Sequence, residues 1–255
     1  MALQIGSTLE EAGHRLFSRT GAILLGAFFA LLISFQALFN TVLATTYARL
    51  GYGEIATALP LTLDIPLGVA GAGIAVGLVV SLYLTIASFR TFAARARDSF
   101  PEGAFTRNVP LAMVNVFVGG TVYGLLVFIG SLLLLIPGIF AYVAFVFVMP
   151  YVIVEDRNFV AALGESYRLT EGNRLALFGL LFIVIAAAAL VGGVVGLVGA
   201  LALPGPASQL PTVVIQPLVS LYSTAVIAVA FEQLRETDGM APSVPNEDGT
   251  PTTTV

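Results

Sequence analysis

The sequence predicts an all-α, polytopic integral membrane protein with about six transmembrane helices and interfacial helices on the cytoplasmic side. Three observations lead there. The 255 residues are 58% hydrophobic and 10% charged, with mean hydropathy +0.97, whereas a soluble domain is roughly half apolar and about a quarter charged. Apolar segments recur at the ~20-residue length that covers a ~30 Å hydrocarbon core. The arginines collect in alternate connections between those segments.

The chain divides into a cytoplasmic amphipathic segment (1–20), a six-helix membrane domain (21–232) and a disordered acidic cytoplasmic tail (233–255). The first span runs from Gly21 to Tyr47 and is too long for a cleavable signal peptide. The second follows the breakers Pro60 and Asp64 and extends from Pro66 to Phe92, Pro66 suiting a first helical turn. Between Pro110 and Val154 there are 45 residues without a charge, about twice the length one crossing needs. That stretch crosses twice, with Ile136-Pro137-Gly138 breaking a tight hairpin into third and fourth spans. The fifth span is Leu175–Leu203; after the turn PGPASQLP the sixth runs from Thr212 to Phe231 and contains Pro217. Beyond Arg235 the chain is polar and Pro/Thr-rich, the composition of a disordered tail.

Composition excludes several chemistries. There is no Cys, no Trp and one His, and all eleven basic residues are Arg, so thiol catalysis, disulfides, Cys-based zinc sites and lysine-dependent mechanisms have no residues to use. Of the net charge of −4, the tail supplies −3, from Glu236, Asp238, Glu247 and Asp248 against Arg235. With no basic stripe, nucleic acid is excluded as a partner. Exclusive use of Arg beside abundant Ala, Gly and Val points to a GC-rich genome, as in haloarchaea.

Orientation follows from the same arginines. With the amino terminus inside, Arg15, Arg19, Arg90, Arg95, Arg97, Arg107, Arg157, Arg168, Arg174 and Arg235 are cytoplasmic and only Arg49 is outside, which predicts a multi-pass protein of the cell membrane with both termini in the cytoplasm. An amphipathic segment precedes each odd-numbered span: Leu9–Thr20, Arg90–Val109 and Asp156–Arg174. Their loose similarity suggests three units of interfacial helix plus hairpin, although any cytoplasmic loop between spans attracts such residues. In the third segment, Val160, Leu163, Gly164 and Tyr167 share one face and Asn158, Ala161, Glu165 and Arg168 another. Such a helix lies in the headgroup layer, with Tyr167, Arg168 and Arg174 as candidate lipid-headgroup contacts.

Within the spans, Gly73/Gly77, Gly120/Gly124 and Gly192/Gly196 form GxxxG pairs, candidate packing positions within the chain or between protomers. Gln36, Asn40, Asn115 and Gln216 are candidate intramembrane polar contacts that face the bundle interior, either for hydrogen bonding between helices or for a polar path. Asp64, Glu155 and Glu232 sit at span ends, and no acid lies centrally, which argues against proton- or sodium-coupled transport. The acid pairs Glu155/Asp156, Asp98/Glu102 and Glu165/Glu171 lack the density of a metal-dependent phosphotransferase. No catalytic, metal-binding or cofactor-binding residues are assigned.

The run from Leu132 to Phe182 carries Ile136-Pro137-Gly138, Pro150, Glu155, Ala162-Leu163, Ser166, Leu169-Thr170, Gly172-Asn173-Arg174 and Phe178. In these it resembles a family of uncharacterised multi-helix membrane proteins related to the membrane domain attached to some glycerophosphodiester phosphodiesterases. The resemblance implies a six-helix fold and no activity, since no room remains for the phosphodiesterase barrel. The functional expectation is a non-enzymatic membrane component that interacts with lipids or organises a membrane complex, with a second copy or another membrane subunit as partner. The alternative is a transporter or export-complex permease.

Overall fold

The computed structural model describes residues 3–237 and Gly239. The element order is α1 (Ile5–Leu16), α2 (Arg19–Arg49), α3 (Gly53–Thr57), α4 (Leu67–Ala93), α5 (Val109–Leu133), α6 (Leu135–Ala144), α7 (Val148–Val154), α8 (Phe159–Thr170), α9 (Arg174–Ala202), a 3-10 turn (Gly205–Gln209) and α10 (Leu210–Thr237). Six stretches are long and apolar enough to cross a membrane: α2, α4, α5, α6 with α7, α9, and α10 with the end of its preceding turn. The fold is an all-α, multi-pass membrane bundle, with no strand among the described residues.

Local chemistry sets the corners. Ser18 caps α2, its side chain accepting from the Gly21 amide, and a Cβ on Gly21 would strike the carbonyl oxygens of Arg15 and Leu16. Glycine alone permits that turn between α1 and α2. Pro110 occupies the first turn of α5, where its missing N–H costs nothing. The α5–α6 corner depends on Gly130 and Gly138, whose backbones meet: a Cβ on Gly130 would lie 2.9 Å from the Gly138 nitrogen.

The fourth span is the centre of the bundle. Its most apolar window is 61% buried, against 11–17% for α2, α4, α5 and α9, so those four present most of their surface to lipid. Phe147 and Tyr151 pack on Phe231 of α10, with ring centroids 5.6 and 4.9 Å apart. In α10, Pro217, Leu221 and Ala225 turn inward at every fourth residue.

Several sequence expectations need correction. The hairpin break falls at Leu134, which is extended (φ −159°, ψ 141°), and Pro137 lies in the first turn of α6, where its missing N–H has no partner within the helix to lose. The fourth span is discontinuous, interrupted at residues 145–147. No helix occupies 94–108, so the three units of interfacial helix plus hairpin are not alike. α10 continues through residues 233–237, assigned from sequence to the tail; residue 238 and residues 240–255 lie outside the described residues.

Candidate functional site

Helix ends leave carbonyls without partners, and two arginines meet those of α7. Arg90, 5% exposed near the end of α4, donates from Nε to Ile153 O (3.0 Å) and from Nη1 to Arg107 O (2.6 Å). Arg107 donates to Val154 O (2.8 Å), and both guanidiniums reach Asp156, at 3.3 Å from Arg90 and 3.1 Å from Arg107. Asp156 itself sits in the left-handed region (φ 52°), where the chain turns sharply after α7.

A second network joins α1 and α10. Arg15, 3% exposed, forms a two-pronged contact with Glu232 (2.8 and 3.0 Å), bonds Glu11 (2.8 Å) and donates to Phe92 O at the end of α4. Arg95 pairs with Glu232 (2.9 Å) and Glu236, and Arg97 with Glu11 (2.9 Å). Burial pushes the Glu11 carboxyl up, but hydrogen bonds and charge from Arg15 and Arg97 outweigh it and hold the group below its ordinary value. Around this network is a recess of about 500 Å³ in which three guanidiniums face three carboxylates.

A third feature has unbalanced charge. A cleft of about 320 Å³ is lined by Tyr151 and Glu155 from the end of α7, Arg157, Glu165 and Arg168 from α8 and its approach, and Arg235 of α10. Arg235 pairs with Glu155 (2.7 Å) and Arg157 with Glu165 (3.3 Å). Arg168 is exposed and has no ion pair among the described residues. Three guanidiniums against two carboxylates leave one positive charge over, with donors matched to a phosphate-bearing group.

The predicted headgroup residues are therefore split. Arg168 lines the cleft, while Arg174 lies over the rings of Tyr167 (4.3 Å) and Phe140 (4.9 Å) and donates to Tyr167 O (3.3 Å). The Nε of Arg174 is buried without a partner. Val160 and Tyr167 are exposed, whereas Ala162, Ser166, Leu169 and Thr170 form the buried face of α8. That face completes the interrupted fourth span: Ser166 Oγ donates to Ala144 O (3.0 Å) and accepts from the Phe147 amide (3.2 Å), and Thr170 Oγ1 donates to Ala144 O (3.3 Å).

Of the four intramembrane amides, Gln36 donates to Asn40 (2.9 Å), and buried Asn40 to Pro60 O (2.6 Å), fixing the far-side connection to α2. Asn115 accepts from the Phe159 amide at the start of α8 (3.2 Å). Gln216 does not face the interior: it is exposed, because its neighbour Pro217 takes the inward position and one residue turns a helix by about 100°. Among the glycines, a Cβ on Gly73 would meet Leu38 (2.9 Å), on Gly77 Phe35 (3.3 Å), on Gly120 Met149 (2.5 Å) and on Gly196 Thr212 (3.6 Å). Gly124 and Gly192 face open space. Sequence reasoning missed Arg15, Arg90, Ser166 and Thr170 as structural polar groups; the signal for Arg90 was a charge embedded in the apolar run ASFRTFAA.

These features define a six-span helical membrane protein with an arginine-rich end built from ion pairs and one cleft of surplus positive charge. The chain belongs to the family described as Domain of unknown function (DUF7847), which matches it over residues 3–234. No curated protein and no solved structure matches it.

Proposed function

We propose that the protein is a non-enzymatic membrane component of the cell membrane that holds anionic lipid headgroups at its arginine-rich, cytoplasmic end and so supports membrane organisation or a membrane complex. The observation that carries this reading is the cleft beside Arg168, where a guanidinium without an ion pair among the described residues adds one positive charge to two satisfied pairs. Exposed Tyr167 and Val160 on the same helix supply the aromatic and apolar contacts that an interfacial helix makes with lipid. Native mass spectra from nanodiscs containing anionic phospholipid test the reading. Arg168→Gln lowers retained anionic lipid several-fold relative to Arg49→Gln at the opposite end; equal retention by the two variants rejects the site.

A second reading, a permease or export-complex subunit, has one observation in its favour: the fourth span is interrupted at residues 145–147, and discontinuous helices form solute sites in many transporters. Here Ser166 and Thr170 already occupy the freed backbone groups. Under this reading liposomes containing the pure protein move a solute faster than empty ones, and no flux over a broad panel rejects it.

A further inference from the structure

Three connections lie at the end opposite the arginine-rich networks, and one is unlike the others. Residues 50–66 mix the exposed apolar side chains of Leu50, Ile55, Leu61 and Leu63 with Tyr52, Glu54 and Asp64, and residues 203–209 carry Ser208 and Gln209, whereas the third connection has no polar side chain among its exposed ones. The α5–α6 corner reads Leu132-Leu133-Leu134-Leu135-Ile136, and these five side chains are 69–80% exposed. Five large apolar side chains at a loop standing in water would be a heavy penalty, at roughly 25 cal/mol per Å² of apolar surface.

The lengths of the spans say where that corner lies. At its near end the fourth span stops at the Arg90–Arg107–Asp156 network. It has 20 residues, which even as an unbroken helix reach about 30 Å, no more than the hydrocarbon core; the interruption at 145–147 shortens it further. α5 has 25 residues, but the start of α8 packs beside its first turns, with the Phe159 amide bonded to Asn115. From Asn115 to Leu133 only about 27 Å of helix remains. By contrast α2 and α9 have 31 and 29 residues, about 46 and 44 Å. As whole helices the fourth span is therefore about 14–16 Å shorter than α2 and α9, and α5 about 6–9 Å shorter, so the hairpin tip falls short of their reach.

We propose that the α5–α6 hairpin ends inside the far leaflet, with Leu132–Ile136 seated among lipid acyl chains at the edge of the headgroup layer. The exposed apolar surface is continuous with that of Leu125, Phe128 and Ile129 on α5, so one belt of lipid contact runs around the tip. The backbone is consistent with such a seat. The Leu134 amide bonds Gly130 O (3.1 Å), and contact between Gly130 and Gly138 excludes lipid from between the helices. The remaining free groups of the two helix ends reach the headgroup layer, which the bilayer centre would not allow. A tip of this kind is an apolar wedge in the leaflet opposite the arginines, and it locally thins the bilayer by the mismatch between short and long spans.

The protein contains no Trp, so a single introduced one reports its own depth. Leu132→Trp and Leu134→Trp, both at exposed positions that leave the core untouched, are compared with Gln209→Trp in vesicles of phosphatidylcholine. Bromine on the lipid acyl chains and iodide in the aqueous phase on both faces serve as quenchers. Brominated chains quench Trp at 132 and 134, and iodide quenches them several-fold less than Trp at 209. Iodide quenching equal to that at 209 overturns the proposal by placing the tip in water. Protection from both quenchers overturns it by showing the tip covered by a second copy of the chain.

Discussion

Arg90 illustrates how a charged side chain is retained at the end of a membrane helix. Its guanidinium satisfies the carbonyls of Ile153 and Arg107 and the Asp156 carboxylate at once, so removing it strands several groups together. Breaking such a buried pair costs about 3–5 kcal/mol. Arg90→Gln lowers the unfolding midpoint in detergent accordingly, whereas Arg49→Gln, exposed at the other end, stays within about 0.5 kcal/mol of the parent. Glu11 gives a pH signature. Its folded value lies below the ordinary 4.5, so its ionised form stabilises the fold above pH 4.5, and that contribution is lost as pH falls through the depressed value. The melting temperature of the parent drops over that acid range, and Glu11→Gln, less stable at neutral pH, loses this part of the slope; parallel profiles for the two proteins would show that Glu11 contributes nothing. The partners of neither residue were legible in the sequence. Arg15 and Glu232 are 217 positions apart, and no spacing rule connects them.

At the scale of elements, α8 shows what periodicity can and cannot tell. Its existence was legible from the amphipathic run, and of the face read as Val160, Leu163, Gly164 and Tyr167 the structure leaves Val160, Gly164 and Tyr167 exposed while Leu163 packs against the core. The polar pair on the buried face, Ser166 and Thr170, was not, because the reason for it lies in another element: the interruption of the fourth span frees Ala144 O and the Phe147 amide. No glycine or proline lies within residues 145–147, Phe-Val-Phe, but Pro150 has no N–H for the Val146 carbonyl four residues back and its ring crowds that carbonyl, so a local breaker was present and went unread. Ser166→Ala leaves buried backbone groups short of a partner, at about 1–3 kcal/mol. Thr170→Val costs less than Ser166→Ala, since Thr170 bonds Ala144 O at 3.3 Å and Ser166 serves both groups. Equal stability of Ser166→Ala and the parent in a denaturant series would show that water or a backbone shift replaces the hydroxyl.

For the whole molecule, six spans were legible because hydrocarbon thickness fixes helix length so firmly; four connections followed from Pro, Gly and charge, whereas the α5–α6 corner falls at Leu134, ahead of the Ile136-Pro137-Gly138 break expected from sequence. The candidate site was legible only in part. Arg168 was visible as a charge on an amphipathic helix, but not that Arg157 and Arg235 share its cleft with their own partners. Ion pairing bears on the expected orientation. Arg15, Arg90, Arg95, Arg97, Arg107, Arg157 and Arg235 are all ion-paired, so this end is far less positive in net terms than in arginine count. Orientation depends on Lys and Arg near the span ends, with Asp and Glu contributing little. The count of ten arginines against one therefore predicts that the arginine-rich end faces the cytoplasm. The chain has no native Cys, so single thiols decide the matter. Glu54→Cys, in α3 after the first span, reacts with an impermeant maleimide in intact cells, and Glu102→Cys reacts only after the membrane is opened. The reverse pattern would mean that net charge, not arginine count, orients this bundle, and it would move the cleft beside Arg168 to the outer leaflet.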